Sequence, residues 1–129
     1  MMFESRSSSV GGVEIRAEKH IGGLAAVYYD GTPKTEYNLG PKLIERVHPG
    51  AFKAILESRA EVFGLYHHDE SQLLGRLSSG TLQLTDESRG LAYAITYDPT
   101  DPIHQTVSAK IRRGDVTGSS FTFTTNSQK

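Results

Sequence analysis

Two short segments carry residue types that can break a covalent bond between them. Tyr66-His67-His68-Asp69-Glu70 is the densest ionisable run in the chain, and it follows an apolar stretch that should deliver it to a surface. An unperturbed imidazole titrates near neutrality, so a histidine here can serve as a general base. Gly118-Ser119-Ser120-Phe121 supplies hydroxyls within a strand-like run. A serine becomes a nucleophile only when a base lies within hydrogen-bond reach. If the two segments meet in space, His68 and Ser120 form a hydrolytic pair. Spacing alone leaves the plainer alternatives open: solvated histidines at a strand end, and serines ordinary to a strand. A metal site, with His48 or His104 as further ligands, is the remaining use of the histidines. Adjacent strand residues point to opposite faces, which keeps His67 and His68 from sharing one ion. Neither an HExxH spacing nor a cysteine pair supports a metal.

Composition removes several other functions. The chain has 129 residues with 14 Lys plus Arg against 15 Asp plus Glu, a net charge of −1, so it lacks the basic excess that binds nucleic acid through phosphates. It has no cysteine, which excludes disulfides, thiolate zinc sites and cysteine nucleophiles. No apolar run approaches the roughly 18 residues of a membrane span, and Met1 to Gly12 lacks the apolar centre of a signal peptide.

The elements that must position the two segments follow from periodicity. Residues 1–12, with Ser7-Ser8-Ser9 and Gly11-Gly12, are expected to be a flexible leader, residues 13–125 one folded domain, and residues 126–129 a tail. Val13 to Ala17 and Ile21 to Tyr29 are β-leaning runs. Glu61 to His67 places Phe63 and Leu65 at period two. Thr81 to Leu84 and the alternating Leu91, Tyr93, Ile95 and Tyr97 flank a turn-rich Asp86 to Gly90, which predicts a hairpin or adjacent pair. Pro49 is a suitable first helical residue, followed by Phe52, Ile55 and Leu56 at helical spacing. A second helix is capped by Asp101, started by Pro102, striped by Ile103, Val107 and Ile111, and stopped by Gly114. Val116 to Thr125 is the last strand, with Ser119, Phe121 and Phe123 on its inward face and Ser120 on the other. The expected fold is therefore α+β and β-rich, a curved sheet or small β-barrel core with two packed helices. Phe121, Phe123, Leu91, Tyr93, Ile95, Ile103, Val107 and Ile111 are its expected core.

The ordered series of motifs resembles one family, the HK97-like prohead (capsid maturation) serine proteases of tailed bacteriophages. Gly22-Gly23-Leu24-Ala25 with Tyr28-Tyr29-Asp30 is similar to the family's opening strand, and Glu45-Arg46-Val47-His48-Pro49-Gly50-Ala51-Phe52 to its helix entry. Leu65-Tyr66-His67-His68-Asp69 followed by Leu74-Gly75-Arg76 is similar to its histidine block. Ile111 to Phe123, with Gly118-Ser119-Ser120-Phe121-Thr122-Phe123 at its end, resembles the closing serine block. The likeness covers roughly residues 21 to 124, and six blocks in order are more specific than any one of them.

The resemblance implies a serine endopeptidase with an assemblin-like core, acting through Ser120 and His68. The expected partners are the major capsid protein, its scaffold segment and the chain itself, and a homo-oligomer is compatible with it. The implied place of action is the host cytoplasm, inside an assembling procapsid. No cofactor, metal, nucleic acid or membrane is implied. A non-catalytic capsid assembly or scaffolding domain on the same fold is the alternative. In the related herpesvirus assemblins the third catalytic member is a histidine after the serine, and no histidine follows Ser120 here. The orienting group is then an internal acid, with Asp69 the nearest candidate, or belongs to sequence downstream of a truncated core.

Overall fold

Period-two apolar residues separated by turn residues dictate a sheet, and the strand pairing shows how it is closed. The computed structural model describes residues 2–4, 11–16, 20–58, 60–67 and 69–120. In chain order the elements are β1 (Met2–Glu4), β2 (Gly11–Arg16), β3 (His20–Val27), β4 (Tyr37–Gly40), β5 (Leu43–Glu45), α1 (Lys53–Ser58), β6 (Phe63–Tyr66), β7 (Asp69–Arg76), β8 (Leu82–Glu87), β9 (Gly90–Thr96), α2 (Pro102–Arg112) and β10 (Gly118–Ser120). Eight strands form one sheet in the order β7-β6-β1-β10-β2-β3-β9-β8, while β4 and β5 make a separate hairpin. Neighbours in the large sheet are antiparallel except β1 with β6. The sheet curves into a half-barrel whose edges approach each other: the Arg76 N–H on β7 donates to Thr81 Oγ1, just before β8, at 3.0 Å. The α+β architecture with a curved sheet and two helices is the expected one.

Two glycines of the sequence motifs answer to this curvature. A Cβ at Gly23 on β3 would lie 2.0 Å from the Gly12 carbonyl oxygen on β2, so no side chain fits there. A Cβ at Gly75 would come within 3.0 Å of the Thr81 carbonyl oxygen and 3.2 Å of Ile95 Cγ2, where the edges of the sheet converge. The concave side is filled by Ile21, Ala26, Tyr93, Ile95, Leu82 and Leu74, joined by Phe52, Val107 and Val116. Burying each large side chain is worth about 1.5–3 kcal/mol. The β8–β9 hairpin forms as expected, with Leu82 opposite Ile95 and a tight turn at Ser88-Arg89 between Glu87 and Gly90.

Helix α2 follows its sequence signals closely. The Asp101 carboxylate accepts from the Ile103 N–H at 2.8 Å, Pro102 opens the helix, and Gly114 follows it with φ +86°. Val107 is fully buried, with Ile103 and Ile111 half-buried beside it. His104 shares that face and is 4% exposed. Its Nδ1 accepts from the Asp98 N–H at 3.0 Å, which puts the ring proton on Nε2, and Nε2 donates to the Leu74 carbonyl at 2.8 Å. The ring thereby joins α2 to β7 and to the β9–α2 turn. Both its nitrogens are engaged, so His104 is a structural histidine rather than a metal ligand.

The structure departs from expectation at several places. Strands β4, β5 and β7 were not anticipated. Strand β8 runs on to Glu87, so that the expected turn at Asp86 to Gly90 narrows to Ser88-Arg89, and β10 starts at Gly118 rather than Val116. Met2–Glu4, assigned to a flexible leader, is a strand inside the sheet, and β2 starts at Gly11 rather than Val13. Pro49 does not open the first helix: Gly50 takes φ +91°, a left-handed conformation that breaks helical geometry, and α1 begins at Lys53. Phe63 is exposed while Leu65 is buried, because irregular pairing between β6 and β7 interrupts the alternation there. Tyr97 lies beyond the end of β9 and is half-buried. Phe121, Phe123 and the rest of the last strand beyond Ser120 lie outside the described residues.

Two stability measurements follow. His104→Phe should lower unfolding free energy by about 2–5 kcal/mol, because it leaves the buried Leu74 carbonyl and the Asp98 N–H without their partner. A melting temperature equal to the parent's would show that the bridge is dispensable. The second concerns acid. Glu61 is held to about 2 by hydrogen bonding from Ser78 and then by Arg76, whose Nη2 is 2.7 Å from Oε2. Asp30, Asp69 and Asp98 are lowered as well, each chiefly by a threonine or serine two residues on. A carboxylate whose folded value lies below its unfolded one stabilises fully above the unfolded value and loses that contribution as pH falls through the folded one. The melting temperature should therefore decline between about pH 4.5 and 2, and Glu61→Gln should flatten that decline.

Candidate active site

The histidine segment sits where β6 gives way to β7. Strand β6 ends at Tyr66, His67 makes the turn, and β7 starts at Asp69. His67 has φ +56°, among the described residues the one non-glycine with positive φ. A histidine tolerates this left-handed state better than a β-branched residue does. Its ring stands 4.1 Å from that of Tyr66, centre to centre, and is exposed. Tyr66 itself is buried, and its hydroxyl accepts from the Lys110 ammonium of α2 at 3.3 Å. The turn is thus braced from below by a packed tyrosine that is tied to a helix.

Asp69 opens β7 on the far side of the turn. Its Oδ1 accepts from the Ser71 N–H at 2.9 Å and from the Ser71 hydroxyl at 2.7 Å. The Ser71 hydroxyl, and then its N–H, hold the carboxyl below the usual aspartate range, so it is ionised at neutral pH. His68, between His67 and Asp69, lies outside the described residues.

The serine segment is β10. Ser119 is 3% exposed. Its hydroxyl donates to the Gly12 carbonyl on β2 at 3.0 Å and lies 2.6 Å from Tyr93 Oη, whose proton it then accepts. A hydroxyl whose proton points at a carbonyl has no base to activate it. Ser119 faces the core, as alternation predicted, and fastens β10 to β2 and β9. Ser120 is the last residue of β10, in register with Met2 on β1.

Strand order relates the two segments. β1 pairs with β10 on one side and with β6 on the other, so the strand ending in Ser120 and the strand leading to the histidine turn flank a single strand. The other histidines singled out in the sequence stay apart from this place. His48 is exposed and packs edge-on against Tyr29, and His104 is the core bridge described above. Among the described residues no cluster of three or more His, Asp or Glu side chains could hold a metal ion. Sequence reading missed the Tyr93–Ser119–Gly12 chain, the Tyr66–Lys110 contact and the bridging role of His104. Only the last left a signal, since His104, Val107, Ser108 and Ile111 fall at helical spacing on one face.

Residues 9–129 match the family described as caudovirus prohead serine protease. No curated protein and no solved structure gave a match to the chain.

The turn conformation can be tested by itself. His67→Gly should leave the melting temperature unchanged or raise it slightly, since glycine enters the left-handed region without steric cost. His67→Val should destabilise by about 1–3 kcal/mol, because a β-branched residue resists positive φ. Equal melting of the two variants would mean that residue 67 adopts another conformation in solution.

Proposed function

Because the chain belongs to the caudovirus prohead serine proteases, we propose that it is the endopeptidase that trims capsid and scaffold segments, and itself, during procapsid maturation in the host cytoplasm. The observation that carries this reading furthest is the strand order. Two strand spacings, about 10 Å, separate β6 from β10, so the histidine segment and the serine segment belong to one part of the sheet on either side of a single strand. The commitment of Ser119 to the core supports Ser120 as the nucleophile, and the placement of His67 in the turn, its ring tilted against that of Tyr66, leaves His68 as the residue assigned the role of base.

In this mechanism His68 takes the proton of Ser120 as Oγ attacks the scissile carbonyl. The tetrahedral oxyanion needs donors aimed at the developing charge, supplied by backbone N–H groups. Collapse expels the amine, which His68 protonates, and leaves an acyl-serine. Water then attacks, with His68 again the base, to release the acid and regenerate Ser120. Asp69, ionised and with Oδ1 engaged by Ser71, is the acid assigned the orienting role.

Hydrolysis of an unfolded protein and labelling by a serine-directed phosphonate test the assignment together. Ser120→Ala and His68→Ala should each lose about 10³-fold or more in kcat, while Ser119→Ala and His67→Ala keep most of the rate. Asp69→Asn should lower kcat by about 10²-fold or more without a matching loss of stability. A dead Ser119→Ala beside an active Ser120→Ala would shift the register of the nucleophile strand. A chain that neither cleaves nor labels would be a capsid assembly domain on the protease fold.

A further inference from the structure

Strand β1 lies inside the sheet, paired on both sides. Met2 is in register with Ser120 and Phe3 with Ser119, antiparallel, and Met2 with Leu65 and Phe3 with Tyr66, parallel. Its slot therefore runs between the two halves of the proposed catalytic pair. The walls of the slot are main chain. Successive residues of a strand direct their N–H and C=O groups to opposite neighbours, so an occupant is held by bonds that any sequence lacking proline can make. Its pairing with β6 is the one parallel pairing in this otherwise antiparallel sheet, and parallel pairing is the less stable per residue, which marks β1 as the strand most readily exchanged.

We propose that this slot is the substrate channel, and that Met2–Glu4 fills it as an internal stand-in displaced by an extended stretch of the target polypeptide. The inference rests on the assignment of Ser120 and His68 above, and it defines the substrate class. Since both edges of the occupant are paired, the target must offer a single extended segment with neither edge already hydrogen-bonded. An unfolded tether qualifies, whereas a helix or a strand inside a folded sheet does not. Proline at the central positions is rejected, because it removes a donor.

The test uses the full chain. A Phe3→Pro/Glu4→Pro double variant deletes adjacent N–H groups, one toward each wall. It should cleave an unfolded protein about fivefold faster or more, since a larger fraction of molecules has the slot open. An unchanged or lower rate in a folded double variant overturns the proposal. If that variant unfolds, a second measurement on the unaltered chain decides. A fluorescein-labelled peptide of residues 1–9 should bind saturably and be displaced by unfolded protein. The same peptide N-methylated at Phe3 and Glu4 should bind about tenfold more weakly or worse, having lost two backbone donors. Absence of saturable binding, or equal binding of the methylated peptide, overturns it. Peptide binding that persists in a chain that neither cleaves nor labels at Ser120 keeps the slot and strikes the catalytic reading instead.

Discussion

The hydrogen-bonded chain from Tyr93 through Ser119 to the Gly12 carbonyl is the constraint on which the arrangement of the site depends. It crosses from β9 to β10 to β2 beneath the sheet, and each oxygen in it is buried or bonded. A buried hydroxyl without a partner costs about 1–3 kcal/mol, so a slip of β10 by one residue would break both bonds. It would also exchange every inward side chain for an outward one. The chain therefore fixes the register of β10, and through it the position of β1 and β6, which follow in the sheet order. Packing and site geometry are one problem here.

The opposite wall of the site is set by backbone conformation instead. His67 in the left-handed region reverses the chain between β6 and β7, and Tyr66 beneath it is anchored by burial and by Lys110. Irregular pairing at Gly64, Leu65 and Tyr66 bends the same hairpin. Bulges of this kind re-aim side chains at the ends of strands. Further along β7, Gly75 lets the edge of the sheet come close to Thr81 and Ile95, which curls the whole surface. A site carried by such strands is held more firmly than one carried by a long loop.

Two histidines show how surroundings decide what a side chain is for. His104 has an acceptor and a donor in fixed places, the Leu74 carbonyl and the Asp98 N–H, and no access to solvent for proton exchange with a substrate. It serves as a rivet between α2 and the sheet. The histidine turn after β6 leaves His67 exposed and is followed by the ionised Asp69. The chemistry of the residue is identical in both places. Its partners are not.

The features legible in the sequence were those set by near neighbours. Helix α2 could be drawn to within a residue because Asp101, Pro102 and Gly114 act on the backbone beside them, and the β8–β9 hairpin because a two-period apolar pattern meets turn residues. The inward orientation of Ser119 followed from the same alternation. The motif blocks and the β-rich class were legible for this reason too, together with the family they resemble. Tertiary structure decided whatever depends on a partner distant in sequence. Ser119 needed Gly12 and Tyr93, His104 needed Leu74, and Met2–Glu4 found a place between β6 and β10 despite a composition that suggested a leader. Even Pro49, a good helix opener by local rules, lost that role to the left-handed Gly50 beside it. Local preferences are worth a few tenths to about 1 kcal/mol per residue, whereas burial and hydrogen bonding across the sheet are worth more, so the distant partner prevails where the two disagree.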